Sequence, residues 1–443
     1  MLKFHNKLFN IILLLAIFAA MPSAAQSSQE LPVIENRPIP ECFGVNVHFA
    51  ERTNARYLKK KLPKHIELLK QAGFGWVRID LRWDEIEKWE GEYDFEKYDL
   101  AFEALQKADI GIVAILGYSN GYYDKDYSPV SEKALEAFNN FVSAAAERYK
   151  NMNVIWEIYN EPNFSTWRPE VNVDQYIKLA NMTSQTLRRL SPERPIVGPA
   201  LSGPVSHGGT EVDKPMFRDF LEHVLDSEAA HSWSAITVHP YRTELSAPPE
   251  TASYDFENIR NLMRDHGYDP QKTPPIAGEW GYNTSTYSVS ELDQAAYAVR
   301  SLLWATTEAM PFSIWYNWQE QGKDSDNGEH KYGLLRYESL DSETLKKPAF
   351  EAIRQTSELL RGYRFDKLIR KDSNAMIVRF IKDGRHAFAL WAIDNTTNKI
   401  EIPLSKGTWA VTHIMESPYI IDTYGAKPEK LNINSMPVIV TQP

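Results

Sequence analysis

The 443-residue chain has a single cysteine, Cys42. No intrachain disulfide can form, so the fold must rest on buried surface rather than on covalent staples. Cys42 sits in no nucleophile signature, and no His/Cys cluster has zinc spacing. It reads as a buried thiol leading a strand. Basic tracts and basic helix faces are also missing. The net charge is −10, which argues against a nucleic-acid partner. No Gly-rich phosphate loop opens any helix, which removes the nucleotide-binding fingerprints. Asp324-Ser325-Asp326-Asn327-Gly328-Glu329 resembles a calcium loop but lacks the full ligand spacing, so a solvated turn is expected. The sequence therefore calls for no cofactor and no metal.

One apolar run stands out, Leu8–Ala20. Lys3 and Lys7 precede it, and Pro22 and the small residues Ser23, Ala24 and Ala25 follow. Basic, apolar and small segments in that order predict a secretory signal peptide cut near Ala25. The run is too short to span comfortably, since crossing a bilayer takes about 20 apolar residues. No later segment is long and apolar enough to span, so no stable membrane insertion is expected. The chain is expected to be exported to the periplasm or beyond, as a monomer.

Aromatic residues are abundant, with 12 Trp and 22 Tyr. Such side chains can serve as flat, amphipathic contact surfaces, and sugars present apolar C–H faces that suit them. Residues 26–42, with several prolines, read as an extended lead-in that could add a strand to a later sheet. From Phe43 onward short apolar runs alternate with helical patterns. The runs are Phe43–His48, Trp76–Leu81, Ile110–Leu116, Val154–Asn160, Pro195–Ala200, Ala235–His239, Pro275–Glu279 and Phe312–Trp318. Eight such units predict an α/β fold, a (β/α)8 TIM barrel over 43–363 closed by a helix from Pro348 to Tyr363. An open doubly wound sheet is the rival. After residue 363 the pattern becomes antiparallel. Ala375–Lys382 and His386–Ile393 flank Asp383-Gly384, a two-residue hairpin signal. Residues 364–443 are expected to form a small β-sandwich packed on the barrel.

Active sites of such barrels form at the carboxyl ends of the strands. The fourth run ends Asn160-Glu161-Pro162 and the seventh Gly278-Glu279-Trp280. A glutamate at a strand end is costly unless solvated, paired or used. Two carboxyl groups flanking one sugar can break a glycosidic bond: one protonates the leaving oxygen, the other attacks the anomeric carbon or activates water. A spacing of about 5–5.5 Å gives retention through a covalent glycosyl-enzyme.

The Asn160-Glu161-Pro162 triplet resembles the acid/base signature of clan A glycoside hydrolases, and the Glu279 strand end resembles that clan's nucleophile strand. The resemblance takes in Arg78 in Val77-Arg78-Ile79-Asp80, the His239-Pro240-Tyr241 strand end and Tyr332-Gly333-Leu334. It is strongest to family 39, especially its exopolysaccharide-degrading bacterial members, with family 5 similar. It implies Glu161 as acid/base, Glu279 as nucleophile and Asn160 as the group bonded to a sugar 2-hydroxyl. It also implies that Arg78 and Tyr241 hold the nucleophile ionised and oriented. A polysaccharide or oligosaccharide substrate follows, with endo action on an exopolysaccharide expected. An exo-acting β-xylosidase, a transglycosylase and a non-catalytic sugar-binding barrel are the alternatives.

Other rim residues have competing readings. His48 and His239 could bind substrate or be satisfied rim histidines. Glu157 is expected to be a buried partner of Arg78 or Arg82. Of Trp315 and Trp318, alternation admits one to the cleft, and Trp315 is the expected sugar platform. Tyr118, Tyr122, Tyr123 and Trp167 lie on loops that could shape subsites or act as packing lids.

Overall fold

The computed structural model describes residues 31–442, apart from 52, 204–212, 243, 245, 395–397 and 426. The expected signal peptide lies outside the described residues. Eight parallel strands come first: β1 (Phe43–Val47), β2 (Trp76–Arg82), β3 (Gly111–Gly117), β4 (Val154–Ile158), β5 (Ile196–Ser202), β6 (Ala235–His239), β7 (Pro275–Ala277) and β8 (Ser313–Trp315). Their spatial order is β7-β6-β5-β4-β3-β2-β1-β8. A parallel bridge between Trp280 and Trp315 closes the ring. There the Trp280 N–H donates to the Ile314 carbonyl at 3.2 Å and the Tyr316 N–H to the Trp280 carbonyl at 2.8 Å. Gly281 permits this approach, since a Cβ would lie 2.0 Å from the Tyr316 carbonyl oxygen. The expected (β/α)8 barrel is the fold observed.

Helices cover the ring: α1 (Ala55–Ala72), α2 (Trp83–Ile86), α3 (Glu96–Lys107), α4 (Glu132–Tyr149), α5 (Val173–Leu190), α6 (Asp213–Leu225), α7 (Ala252–Asp265), α8 (Glu291–Thr307) and α9 (Pro348–Leu359). Their boundaries follow from caps. Asn54 accepts from the Tyr57 N–H to start α1, and Gly73 ends it in the left-handed conformation at φ 89°. Ser290 and Asp293 form a reciprocal capping box at the start of α8. None of the helices among the described residues is long and apolar enough to cross a membrane.

Strand periodicity builds the barrel interior in layers. Trp76, Val113, Ile155, Val197, Ala235, Ile276 and Ile314 pack together as an apolar floor. Two residues further along their strands, Arg78, Glu157 and Thr237 form a buried polar layer. Another step reaches Asp80 and His239 at the mouth. The lead-in passes beneath the floor. Ile34 joins the apolar layer, and the Arg37 guanidinium lies 4.7 Å from the Trp76 ring centre. Residues 31–42 add no strand, contrary to expectation. Instead Ile39 exchanges backbone hydrogen bonds with Gly362 and Tyr363 after α9. Three prolines, Pro32, Pro38 and Pro40, remove donors a ladder would need.

The C-terminal strands are β9 (Arg364–Lys371), β10 (Ala375–Lys382), β11 (Arg385–Ala392), β12 (Asn398–Ile402), β13 (Gly407–His413), β14 (Tyr419–Thr423), β15 (Glu429–Ile433) and β16 (Val438–Thr441). Six form one sheet, ordered β14-β13-β16-β11-β10-β9, and β12 pairs with β15. Alternation splits the large sheet into two apolar faces. Ile377, Leu390, Trp409, Val411 and Val440 pack on Ile400, Ile402, Leu431 and Ile433 of the β12–β15 pair. Met376, Val378, Ala389, Trp391 and Ile439 instead join the core shared with the barrel helices. The expected sandwich is therefore built on one side and docked on the other.

A buried ion pair ties the two parts together. Arg300 on α8 donates to Glu250 at 2.9 and 2.6 Å, and the Trp391 indole N–H donates to the same carboxylate at 2.7 Å. Removing one partner strands a buried charge. Glu250→Ala is expected to lower unfolding free energy by about 3–5 kcal/mol, as read from urea denaturation of the full chain.

Candidate active site

The end of β4 is sharply bent. Tyr159 and Glu161 take positive φ values, 65° and 47°. Non-glycine side chains rarely hold that region, and each such residue costs of order 1–3 kcal/mol. Local bonds hold the bend. The Glu161 N–H donates to the Ala200 carbonyl of β5 at 3.0 Å. The Thr166 hydroxyl donates to the Asn160 carbonyl at 2.7 Å and also bonds that of Glu161. Strain held at a glutamate that faces a cavity argues for use rather than packing.

Glu279 follows the short β7. Gly278 before it has no side chain, and a Cβ there would press on Thr237 at 3.2 Å and on Glu157 Oε1 at 3.4 Å. Glu279 reaches the cavity with its two oxygens engaged separately. The Tyr241 hydroxyl donates to Oε1 at 2.9 Å, and Arg78 Nη1 donates to Oε2 at 2.5 Å. Arg78 is the hub of the site. It also donates to Glu157 at 2.5 Å, to the side-chain oxygen of Asn46 at 3.1 Å and to that of Asn160 at 2.7 Å. Glu157 is fully buried, and one of its oxygens, Oε1, has no hydrogen-bond partner. Of the two expected partners, Arg78 and Arg82, it pairs with Arg78.

His239 sits between the two carboxylates. Its Nδ1 lies 2.8 Å from Glu161 Oε1, and its Nε2 faces Arg78 Nη2 at 3.4 Å. Arginine can only donate, so Nε2 accepts and Nδ1 carries the proton toward Glu161. Burial pushes the imidazole down to about 4, which keeps it neutral. Burial pushes Glu161 up to about 7 against the opposing pull of Ser202 and Arg78. Oxygens of Glu161 and Glu279 and a ring nitrogen of His239 all lie within 4.8 Å of one another.

A cavity of about 1180 Å³ opens above this pair. Of the expected site residues, His48, Arg78, Asn160, Glu161, Tyr241 and Glu279 line it, and His239 backs Glu161 from beneath. Trp315 does not belong there. Ile314 faces the barrel interior, so period two turns Trp315 outward, where it is fully buried and stacked on Tyr282 with ring centres 6.3 Å apart. Tyr316, Tyr332 and Trp318 border the cavity instead. Tyr316 packs edge-on to His48 and Tyr332, with ring centres 5.7 and 5.3 Å away. Of the loop aromatics, Tyr118 lines the cavity and donates to Asp80 at 2.5 Å. Tyr123 stacks on Trp83, and Trp167 packs between Tyr159 and Tyr176, so both are packing groups.

Two mouth carboxyls were missed by sequence reasoning, Glu51 and Asp80. His48 Nδ1 donates to Glu51 at 2.7 Å and lies 3.8 Å from Asp80. Burial pushes Glu51 up to about 7. Asp80 was findable, because it is two residues from Arg78 and so faces the same way. Glu51 follows β1 in irregular chain and gave no signal. His48, Glu51 and Asp80 form one metal-like triplet among the described residues, and Glu161, His239 and Glu279 another. In the second, the Arg78 guanidinium already supplies the positive charge an ion would bring.

Losing the Tyr241 hydroxyl removes a hydrogen bond to a charged group, worth about 1.5–3 kcal/mol. Where Glu161 and Glu279 act as the expected pair, Tyr241→Phe lowers turnover by roughly 10- to 100-fold with the fold intact, as read from kcat/KM and circular dichroism.

Comparison with known proteins decides the family. Residues 34–321 match the model of the cellulase family, glycosyl hydrolase family 5. The chain belongs to glycosyl hydrolase family 5. This clan A glycoside hydrolase is also 27% identical over 284 residues to a β-xylosidase from Geobacillus stearothermophilus, a match covering 60% of the family 5 chain and 52% of the relative. It thus spans about half the length of that relative. Its fold is that of family 39 enzymes. A family 39 glycoside hydrolase from the gut symbiont Bacteroides cellulosilyticus WH2 superposes with a TM-score of 0.73 at 21% identity, over 93% of this chain and 82% of the other. A family 39 β-xylosidase from Caulobacter crescentus gives 0.64 at 15% identity, over 93% and 97%.

Proposed function

We propose that this clan A member is a retaining β-glycosidase that cleaves within a polysaccharide. The observation that carries the reading is the approach of Glu161 and Glu279, whose oxygens come within 4.8 Å at the cavity floor. That approach favours the retaining spacing of about 5–5.5 Å over the about 6.5–9.5 Å of an inverting pair. Glu279, held by Arg78 and Tyr241, attacks the anomeric carbon while Glu161 gives its proton to the leaving oxygen. A glycosyl ester on Glu279 results. Glu161, now ionised, takes a proton from water, whose oxygen displaces Glu279 and restores both residues.

The cavity volume of about 1180 Å³ and its open, aromatic-edged mouth favour a chain passing through over a single terminal sugar. With Leu8–Ala20 read as an export signal, the polymer is one met outside the cytoplasm, such as an exopolysaccharide. Exo action, as in the β-xylosidase relative, is the second reading. Early-time proton NMR of a β-linked oligosaccharide digest tests the mechanism. The first-formed hemiacetal is expected to be β and to mutarotate later; a first-formed α product overturns retention. Internal fragments released from a polymer support endo action, whereas monomers alone overturn it.

A further inference from the structure

A second recess opens beside the catalytic cavity. It encloses about 480 Å³ among the loops that follow β2, β3 and β4, and Arg82 and Tyr118 belong to the walls of both. The Thr166 side chain lines it, and the same hydroxyl bonds the Asn160 and Glu161 carbonyls. The recess thus adjoins the segment that carries Glu161.

The two spaces differ in charge. Among the described residues, seven carboxylates and four Lys or Arg side chains line the catalytic cavity. Three cations, Arg82, Lys125 and Arg168, and two carboxylates, Asp84 and Asp126, line the recess. Two of the cations, Lys125 and Arg168, are loosely held. Lys125 forms no ion pair among the described residues, and its backbone takes the left-handed region at φ 59°. Arg168 reaches Asp126 only at 4.0 Å, with side chains 55% and 74% exposed. Arg82 lies 5.3 Å from the Tyr118 ring centre, is paired with Asp84 at 3.1 Å and faces Glu85 at 3.5 Å. The exposed Arg168–Asp126 contact contributes little, so it gives way readily to a ligand oxyanion, whereas Arg82 stays with its carboxylates. Lysine and arginine donors bind carboxylates and sulfates with charge-assisted hydrogen bonds.

We propose that this recess is a subsite for an anionic sugar unit, a uronate or a sulfated residue, in the polymer whose neighbouring bond is cut. This rests on the glycosidase reading above. Tyr118 supplies an aromatic edge for the ring, and Lys125 and Arg168 supply the charge.

The test uses the full chain carrying Glu161→Gln, so that ligand is not consumed. Calorimetry compares a glucuronate-bearing xylo-oligosaccharide with its carboxyl-reduced form, and a sulfated β-linked oligosaccharide with its desulfated form. At least one anionic ligand is expected to bind about tenfold tighter than its neutral counterpart, with the gap closing in high salt. Adding Lys125→Met and Arg168→Met should bring that ratio to about one, and each single change should remove part of it. Circular dichroism confirms that the variants are folded. Equal affinities within both pairs, or a preference that survives the double change, overturn the anionic subsite. If the wild-type enzyme still cuts neutral polymers, the glycosidase reading stands without it. If it cuts no polymer and no aryl glycoside, the reading beneath fails as well.

Discussion

Glu279→Ala should lower kcat/KM by about 10⁴-fold or more on every β-glycoside the wild-type chain accepts. Four decades correspond to about 5.4 kcal/mol of barrier. The two carboxylates nearest to Glu279 around Arg78 and His239 are otherwise engaged. Glu161 is engaged with His239, and Glu157 is fully buried under Arg78. The variant should fold, because Arg78 keeps Glu157 as a partner when Glu279 is removed. Azide then separates the roles of the two carboxylates. In Glu279→Ala it can enter the vacated space beside Arg78 and attack the anomeric carbon directly, giving a glycosyl azide of inverted configuration. In Glu161→Ala it should attack the glycosyl-enzyme from the opposite face and give the retained configuration. The reverse pattern would exchange the assignments of the two residues. Wild-type turnover in Glu279→Ala would end the proposal.

The meeting of Glu161 and Glu279, the proposed catalytic pair, was legible because its signals are local and its placement follows from topology. Asn160-Glu161-Pro162 and Gly278-Glu279-Trp280 each end an apolar run, and strand ends of a (β/α)8 barrel converge at one mouth. Arg78 was legible through the family resemblance, and Glu157 as a buried carboxylate that needs a cationic partner, which Arg78 supplies. Trp315 was misplaced by strand alternation. The run Phe312–Trp318 reads as one strand, but β8 ends at Trp315. Choosing between Trp315 and Trp318 by alternation needed to know which residue of β8 faces inward, and Ile314 does. Glu51 lies in irregular chain, whose path depends on contacts far away in sequence. The edge strand β9, Arg364–Lys371, carries five charged residues in eight and hides its pattern for the reason edge strands do, since exposed charges discourage pairing with other chains.

The same hub explains why neither member of the pair can be read alone. Arg78 bonds Glu279 directly and draws Glu161 toward ionisation from a greater distance. Glu157 beneath it balances one unit of that charge. Glu161 escapes full ionisation at neutral pH because burial outweighs Arg78 and Ser202. One guanidinium thus serves a carboxylate that must be charged while leaving its neighbour able to hold a proton.

The proton on Glu161 predicts the second large effect. With its carboxyl pushed up to about 7, the protonated acid is the competent form, so kcat/KM should fall as pH rises through about 7. His239, pushed down to about 4, is neutral on both sides of that limb and does not contribute to it. Glu161→Ala should abolish the basic limb. Its cost should depend on the leaving group. An activated aryl leaving group departs without protonation, so kcat/KM should fall by less than about tenfold, while an unactivated sugar leaving group should lose about 10²- to 10⁴-fold. Rates measured across a series of aryl β-glycosides and one oligosaccharide give both readouts. A basic limb that survives in Glu161→Ala, or a loss of equal size for good and poor leaving groups, would move the acid to another residue. Glu51 would then be the next candidate, because burial pushes its carboxyl into the same range beside His48.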